Sequence, residues 1–167
     1  MDARPEWRAE RLRRMYAGGR ADRTARALSR LWARLFAWGL LPRRWVTLEV
    51  PGRVTGRTTR FPLGMADVGG RWYLVSMLGD SCNWVRNVRA ADGVAVLRRR
   101  RPRPVRLVEV PVERRAPVIR RYLEKVPGGR PHIAVSADAP EAEIERVARD
   151  HPVFEVVARP QTTDFPA

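Results

Sequence analysis

The feature that most constrains the fold is a basic turn, Gly52-Arg53-Val54-Thr55-Gly56-Arg57, between strand-like runs at residues 45–50 and 59–66. The two runs and a third at 71–78 predict an antiparallel meander. The two glycines permit positive φ and a close approach of the backbone, and exposed amides can form a concave nest. Each guanidinium offers a planar fork of donors that matches phosphate. The turn is either an ordinary basic hairpin turn or an anion cradle, and these residues alone do not decide between them.

Strands and helices follow the turn in an irregular order. Further strands are predicted at 94–100, 105–110 and 153–157, and helices at 83–90, 113–126 and 140–150. Pro102 and Pro104 are interpreted as the turn between the fourth and fifth strands. Because six short strands with inserted helices do not alternate as βαβ units, we expect an α+β fold, a small antiparallel barrel with peripheral helices.

The N-terminal part of the chain has a different pattern. Leu28, Leu31, Trp32 and Leu35 recur at helical spacing among arginines, which predicts an amphipathic helix. We therefore divide the chain into a basic helical extension, 1–43, and a barrel domain, 44–167. The helix is expected to pack on the barrel or in a homodimer, and an interfacial position on an anionic membrane stays open as the alternative.

Composition narrows the class of protein. The chain has 167 residues and a net charge of +15, and none of its apolar runs approaches the roughly 20 residues that span a bilayer. Its first thirty residues are rich in arginine where a secretory signal would be apolar, so we expect a cytoplasmic location, with membrane association left open. The charge is attributed first to solvated surface, then to an anionic cofactor or lipid. Nucleic acid is the least favoured partner because the densest basic run, 98–103, lacks stacking aromatic residues.

No catalytic side chain is evident. His132 and His151 are the only histidines, each lies beside a proline, and neither has a nucleophile or acid at a recognisable spacing. Surface or capping roles are favoured for both. Cys82 is the only cysteine, which excludes an intrachain disulfide and a cysteine-cluster metal site, and a small loop residue is the favoured interpretation. We expect no metal. An anion cradle without catalytic residues suits a cofactor that brings its own reactivity.

Residues 45–96 resemble the deazaflavin-dependent nitroreductase family, whose members bind coenzyme F420 on a split β-barrel. The resemblance rests on the G-R-x-T-G turn, the Pro62-Leu63 pair, the Ser76-x-x-Gly79 strand end and the stretch Trp84-x-x-Asn87-Val88-x-Ala90. It implies a split-barrel fold and coenzyme F420 as the cofactor, with FMN as the alternative because related split barrels bind it.

The resemblance also implies where the cofactor binds. The turn would hold the phosphate of the cofactor, and Arg57 and Arg60 would help to bind the cofactor's tail. The end of the third strand would offer backbone groups to the heterocycle. The following helix, at 83–90, would close the far side of the site. The sequence departs from the family at Thr59 and near Leu78, where a basic residue is common. The implied cofactor-binding residues are Arg53, Val54, Thr55, Gly56, Arg57, Thr59, Arg60, Pro62, Leu63, Val75, Ser76, Met77, Leu78, Asn83, Trp84, Arg86 and Asn87.

The function implied is a deazaflavin-dependent reductase that transfers hydride to an electron-poor conjugated substrate, such as a quinone or nitroaromatic compound. In the nitro-reducing relatives, late tyrosines help form the substrate pocket, and Tyr122 is the nearest tyrosine to that stretch here. The alternatives are a non-catalytic F420 or FMN carrier and, less favoured, a charge-driven nucleic-acid binder.

Overall fold

The computed structural model describes residues 31, 32, 34, 38 and 42–159. Most of the predicted amphipathic helix, and with it the proposed extension 1–43, therefore lies outside the described residues. The domain boundary at residue 43 and the contacts of that helix stay predictions.

Six strands and three α-helices lie within residues 42–159. The strands are β1 Trp45–Pro51, β2 Thr58–Val68, β3 Arg71–Val75, β4 Val94–Arg99, β5 Arg101–Glu109 and β6 Val153–Ala158; the α-helices are α1 Asn83–Ala90, α2 Ala116–Lys125 and α3 Glu141–Ala148. Short 3-10 helices lie at Val112–Arg114 and Pro127–His132. The strands and helices expected between residues 45 and 157 all occur, with shifted ends.

The six strands close into one antiparallel barrel in the order β1-β2-β3-β6-β5-β4. The closing pair joins β1 to β4, with Leu48 opposite Leu97. Closure leaves no free sheet edge, which removes the exposed backbone donors that invite aggregation. The predicted α+β fold, a small antiparallel barrel with peripheral helices, is confirmed.

Alternation along the strands separates two apolar cores. Leu48 and Leu97 belong to the core inside the barrel, and Trp84, Val85 and Val88 of α1 pack into the same core, so the apolar face of α1 covers part of the barrel interior. The second core lies outside the barrel, where α2 packs against the outer faces of β2 and β3 and α3 packs on α2, around Ile119 and Ile144. One face of β2 thus contacts α2 while its other face lines the interior.

Two predictions at strand ends are wrong. The turn between β4 and β5 is at Arg100, in the left-handed region with φ of 63°, while Pro102 and Pro104 lie within β5 opposite Arg98 and Val96. Proline is accommodated in a strand where its missing N–H would not join the ladder. The third strand ends at Val75 and not at residue 78, because the Ser76 N–H donates to the carbonyl of Pro152 and the chain then turns.

Candidate anion-binding site

The β1–β2 turn is closed by its own backbone. The Gly52 N–H donates to the Arg57 carbonyl at 2.8 Å, and the Gly56 N–H donates to the Gly52 carbonyl at 2.7 Å. Gly56 has φ of 67°, a conformation that a side chain would strain. The turn presents Arg53, Val54, Thr55 and Arg57 to solvent. The predicted cradle residues therefore share one exposed loop.

Helix α1 holds one arginine of this turn. Asn83 and Asn87 are four residues apart, so their side chains lie on the same face of the helix. The Arg53 guanidinium donates to Asn87 Oδ1 at 3.0 Å and to Asn83 Oδ1 at 3.4 Å from each of its terminal nitrogens. The structure thus brings the basic turn and the start of α1 into contact.

Asn87 connects this site to the barrel wall. Its side chain is only 3% exposed, and its Oδ1 also accepts the Arg53 backbone N–H at 3.3 Å. Its Nδ2 donates to Thr59 Oγ1 at 3.2 Å, and the Thr59 hydroxyl donates to the Val50 carbonyl at 2.8 Å. Asn87 thereby links α1, the turn and both strands that flank it.

The acceptors of Arg53 are neutral, which distinguishes it from the ion-paired arginines in the described residues. Arg60 and Arg98, for example, each donate to Glu49 Oε1 at 2.9 Å on the outer wall of the barrel. Burial raises the pKa of Glu49, but the hydrogen bonds from Arg98 and Arg60 outweigh it and lower that pKa overall. Arg60 is therefore partly neutralised, on the face of β2 opposite Thr59, whereas the charge of Arg53 stays available to a ligand.

The end of β3 forms a braced turn. Ser76 is fully buried, its hydroxyl donates to the Gly79 carbonyl at 2.7 Å, and its own carbonyl lies 2.8 Å from His151 Nδ1. His151 thus contacts the backbone at the end of β3, and the sequence pattern did not indicate this contact because the two residues are 75 positions apart. Met77 and Leu78 follow, both half-buried.

An ion-pair chain fixes the loop between β3 and α1. Arg89, in the last turn of α1, contacts Asp80 and Glu109 at 2.8 Å each, and Glu109 also contacts the buried Arg115 at 3.1 Å. The hydrogen bond from Arg89 is the main cause that lowers the pKa of Asp80. The loop is therefore tied to β5, and the sequence pattern did not indicate these pairings.

The other predicted site residues divide into exposed and packed groups. Arg86 is exposed on α1. Trp84 is 3% exposed and meets Phe154 edge to face at 5.4 Å, so it packs in the barrel interior. Leu63 packs against the same core, Val75 pairs with Val153 in the sheet, and Pro62 lies opposite Thr47.

Tyr122 does not lie in an accessible pocket. It is 3% exposed in the outer core, and burial raises its pKa. A Cβ on Gly129 would overlap its ring, so the backbone packs directly against it. The nearest tyrosine to the expected substrate region is therefore a packing residue.

Cys82 lies directly before α1. It is 7% exposed, and burial raises the pKa of its thiol. Within the described ranges, acidic residues, histidine and cysteine do not form a group of three or more that could hold a metal ion, and none of the described helices is long and apolar enough to cross a membrane.

Comparison with known proteins gives one family. Residues 38–140, more than half of the chain, match the F420H(2)-dependent quinone reductase family. The match covers the turn, the end of β3 and α1. No curated protein matches the sequence.

Solved structures share the fold at low identity. A protein of unknown function from Agrobacterium tumefaciens is 11% identical with a TM-score of 0.54, over 77% of this chain and 54% of that one. A candidate 5-nitroimidazole antibiotic resistance protein from Bacteroides thetaiotaomicron is 8% identical with a TM-score of 0.50, over 76% and 80%. An F420-H2 dependent reductase is 24% identical over 68% and 94%, with a TM-score of only 0.45. The chain spans about half the length of the Agrobacterium protein, and these likenesses concern the fold alone.

Proposed function

This chain belongs to the F420H(2)-dependent quinone reductase family, and from that premise we propose that it is an oxidoreductase that binds reduced coenzyme F420 and reduces a quinone or another electron-poor conjugated substrate. The family implies the cofactor. The substrate and the activity of the whole protein are our proposal.

The observation that carries the proposal is the state of Arg53. Its guanidinium is held by the amide oxygens of Asn83 and Asn87, and these acceptors orient it without neutralising its charge. A pre-oriented cation beside exposed turn amides provides the donors that a phosphate group requires. The residues present therefore fit the anionic part of coenzyme F420.

The remaining residues of the site have separate roles in the proposal. Thr55 and the amides of Val54 and Gly56 would join Arg53 around the phosphate, and the exposed Arg57 and Arg86 would contact the tail. The braced turn after Val75 would hold the heterocycle. When bound, reduced coenzyme F420 supplies a hydride from C5 of its deazaflavin ring, and the protein binds, orients and shields it from water.

The order of the proposed substrates rests on Tyr122 and on the segment at 127–132. Tyr122 is buried in the outer core, and the stretch after it forms the 3-10 helix Pro127–His132. Tyr122 is therefore not exposed to contact a nitroaromatic substrate. We therefore place quinones first and nitroaromatic compounds second.

The test is a fluorescence titration of the purified full chain with coenzyme F420, with FMN in parallel, followed by turnover of reduced F420 with quinones, enones and nitroaromatics. We expect saturable binding of F420, weaker binding of FMN and turnover with quinones. Absence of saturable F420 binding would refute the proposal. Tight binding without turnover of any acceptor would make the chain a cofactor carrier.

A further inference from the structure

The Asn87 side chain makes three hydrogen bonds within the site. Its amide oxygen accepts both the backbone N–H and the guanidinium of Arg53, and its amide nitrogen donates to Thr59. With 3% of its surface exposed, it has little room for a ligand of its own. Its contacts are instead with the residue that a ligand would meet.

These hydrogen bonds restrain Arg53 at two levels. The bond to the backbone N–H fixes the turn against α1, and the bond to the guanidinium fixes the side chain. Asn83 adds a weaker contact at 3.4 Å and is exposed to water. An arginine in an exposed turn would otherwise lose considerable rotamer entropy when it binds an anion. Asn87 removes part of that cost before the ligand arrives.

The chemistry of the acceptor matters as much as its place. A carboxylate here would still accept hydrogen bonds from Arg53, but it would lose the bond that Asn87 Nδ2 donates to Thr59 and would compete with the ligand for the charge of Arg53, as Glu49 does with Arg60 and Arg98. An amide is the neutral isostere that orients the cation and leaves its charge uncompensated.

We propose that Asn87 is a positioning residue that pre-orients Arg53 for an anionic ligand and acts without contacting that ligand. The identity of the ligand as the phosphate of coenzyme F420 rests on the proposed function above. The positioning itself rests only on the contacts of the described residues and is testable without any cofactor.

The first experiment follows the Arg53 side chain by NMR in the cofactor-free protein. The order parameter of its Nε–Hε group is measured in wild type, Asn87→Ala and Asn87→Asp. We expect an ordered guanidinium in wild type and in Asn87→Asp, and a mobile one in Asn87→Ala. Val88→Ala is the matched control, because Val88 is buried in the same helix and faces the barrel interior. An ordered Arg53 in Asn87→Ala would overturn the proposal.

The second experiment measures the dissociation constant for coenzyme F420 in the same variants. Asn87→Ala should weaken binding about tenfold through lost orientation, and Asn87→Asp should weaken it by a similar factor through neutralised charge. Wild-type affinity in Asn87→Asp would overturn the proposal, and so would an equal loss in Val88→Ala at equal thermal stability. If wild type does not bind F420, the proposed function fails, and the NMR comparison alone decides the role of Asn87.

Discussion

Replacement of Arg53 by alanine should separate cofactor affinity from fold stability. The side chain donates to Asn83 and Asn87, and the substitution deletes those bonds. The backbone N–H of residue 53 still donates to Asn87 Oδ1, so the turn stays anchored to α1. Asn83 is exposed and can bond to water instead.

Arg53→Ala should weaken cofactor binding more than it lowers the free energy of unfolding. The loss of one charge-assisted hydrogen bond to a phosphate is worth about 1.5–3 kcal/mol, or roughly a ten- to hundredfold rise in the dissociation constant for coenzyme F420. The lost bonds of Arg53 to neutral amides cost about 0.5–1.5 kcal/mol of folding free energy, a fall of only a few degrees in Tm.

The assay combines a fluorescence titration with a thermal melt of each variant. Arg100→Ala is the matched control, because Arg100 is exposed at the β4–β5 turn. That turn lies near the start of β1, where Thr47 pairs with Arg98, whereas the basic turn with Arg53 follows the other end of β1. Arg53→Lys should be intermediate, because lysine keeps the charge but lacks the planar fork. Equal losses of affinity in Arg53→Ala and Arg100→Ala would show that diffuse charge attracts the ligand and would refute the cradle.

Three further predictions concern the fold. The folded-state pKa of Glu49 is lowered from 4.5, so its ionised carboxylate stabilises the fold fully above that pH and loses this effect as the pH falls through the folded pKa. The Tm difference between wild type and Glu49→Gln should therefore shrink in acid. A constant difference from pH 7 to pH 3 would contradict this. Gly93 has φ of 77°, and a Cβ there would overlap the Leu107 carbonyl. Gly93→Ala should therefore lower the free energy of unfolding in urea by about 2–4 kcal/mol, whereas Gly70→Ala, with a similar φ and open space, should lower it by about 1–2 kcal/mol. Equal losses would refute the overlap. The buried thiol of Cys82 should react with a disulfide reagent only after unfolding, and rapid reaction in native buffer would show that the loop opens.

Much of the fold follows from patterns that are local in the sequence. Strand-like apolar runs separated by glycine turns indicated the six strands, and the stretch Trp84-x-x-Asn87-Val88-x-Ala90 indicated α1 through the family resemblance. The strand after Arg100 was misjudged, because proline is a strong turn signal in isolation and only the pairing with β4 shows that Pro102 fits in the sheet.

The candidate site was predictable as a set of motifs. The turn at Arg53 and the helix with Asn87 each have a recognisable sequence, and the resemblance placed them in one site. The separate roles of Arg53, as the residue that would contact the ligand, and Asn87, as the residue that orients Arg53, were not predictable. Whether an asparagine contacts a ligand or an arginine depends on its burial, and that burial depends on how α1 packs against the barrel core.

The positions of most strands and helices, the basic turn and the family were recognisable before folding is considered, because they depend on residues that are neighbours along the chain. Which arginines are neutralised, and which keep an uncompensated charge as Arg53 does, depends on contacts that form in the folded barrel. Glu49 meets Arg98 across 49 residues, Arg53 meets Asn87 across 34, and His151 meets Ser76 across 75. Charge compensation acts through distances of a few ångströms in space, and those distances exist only after the barrel has closed.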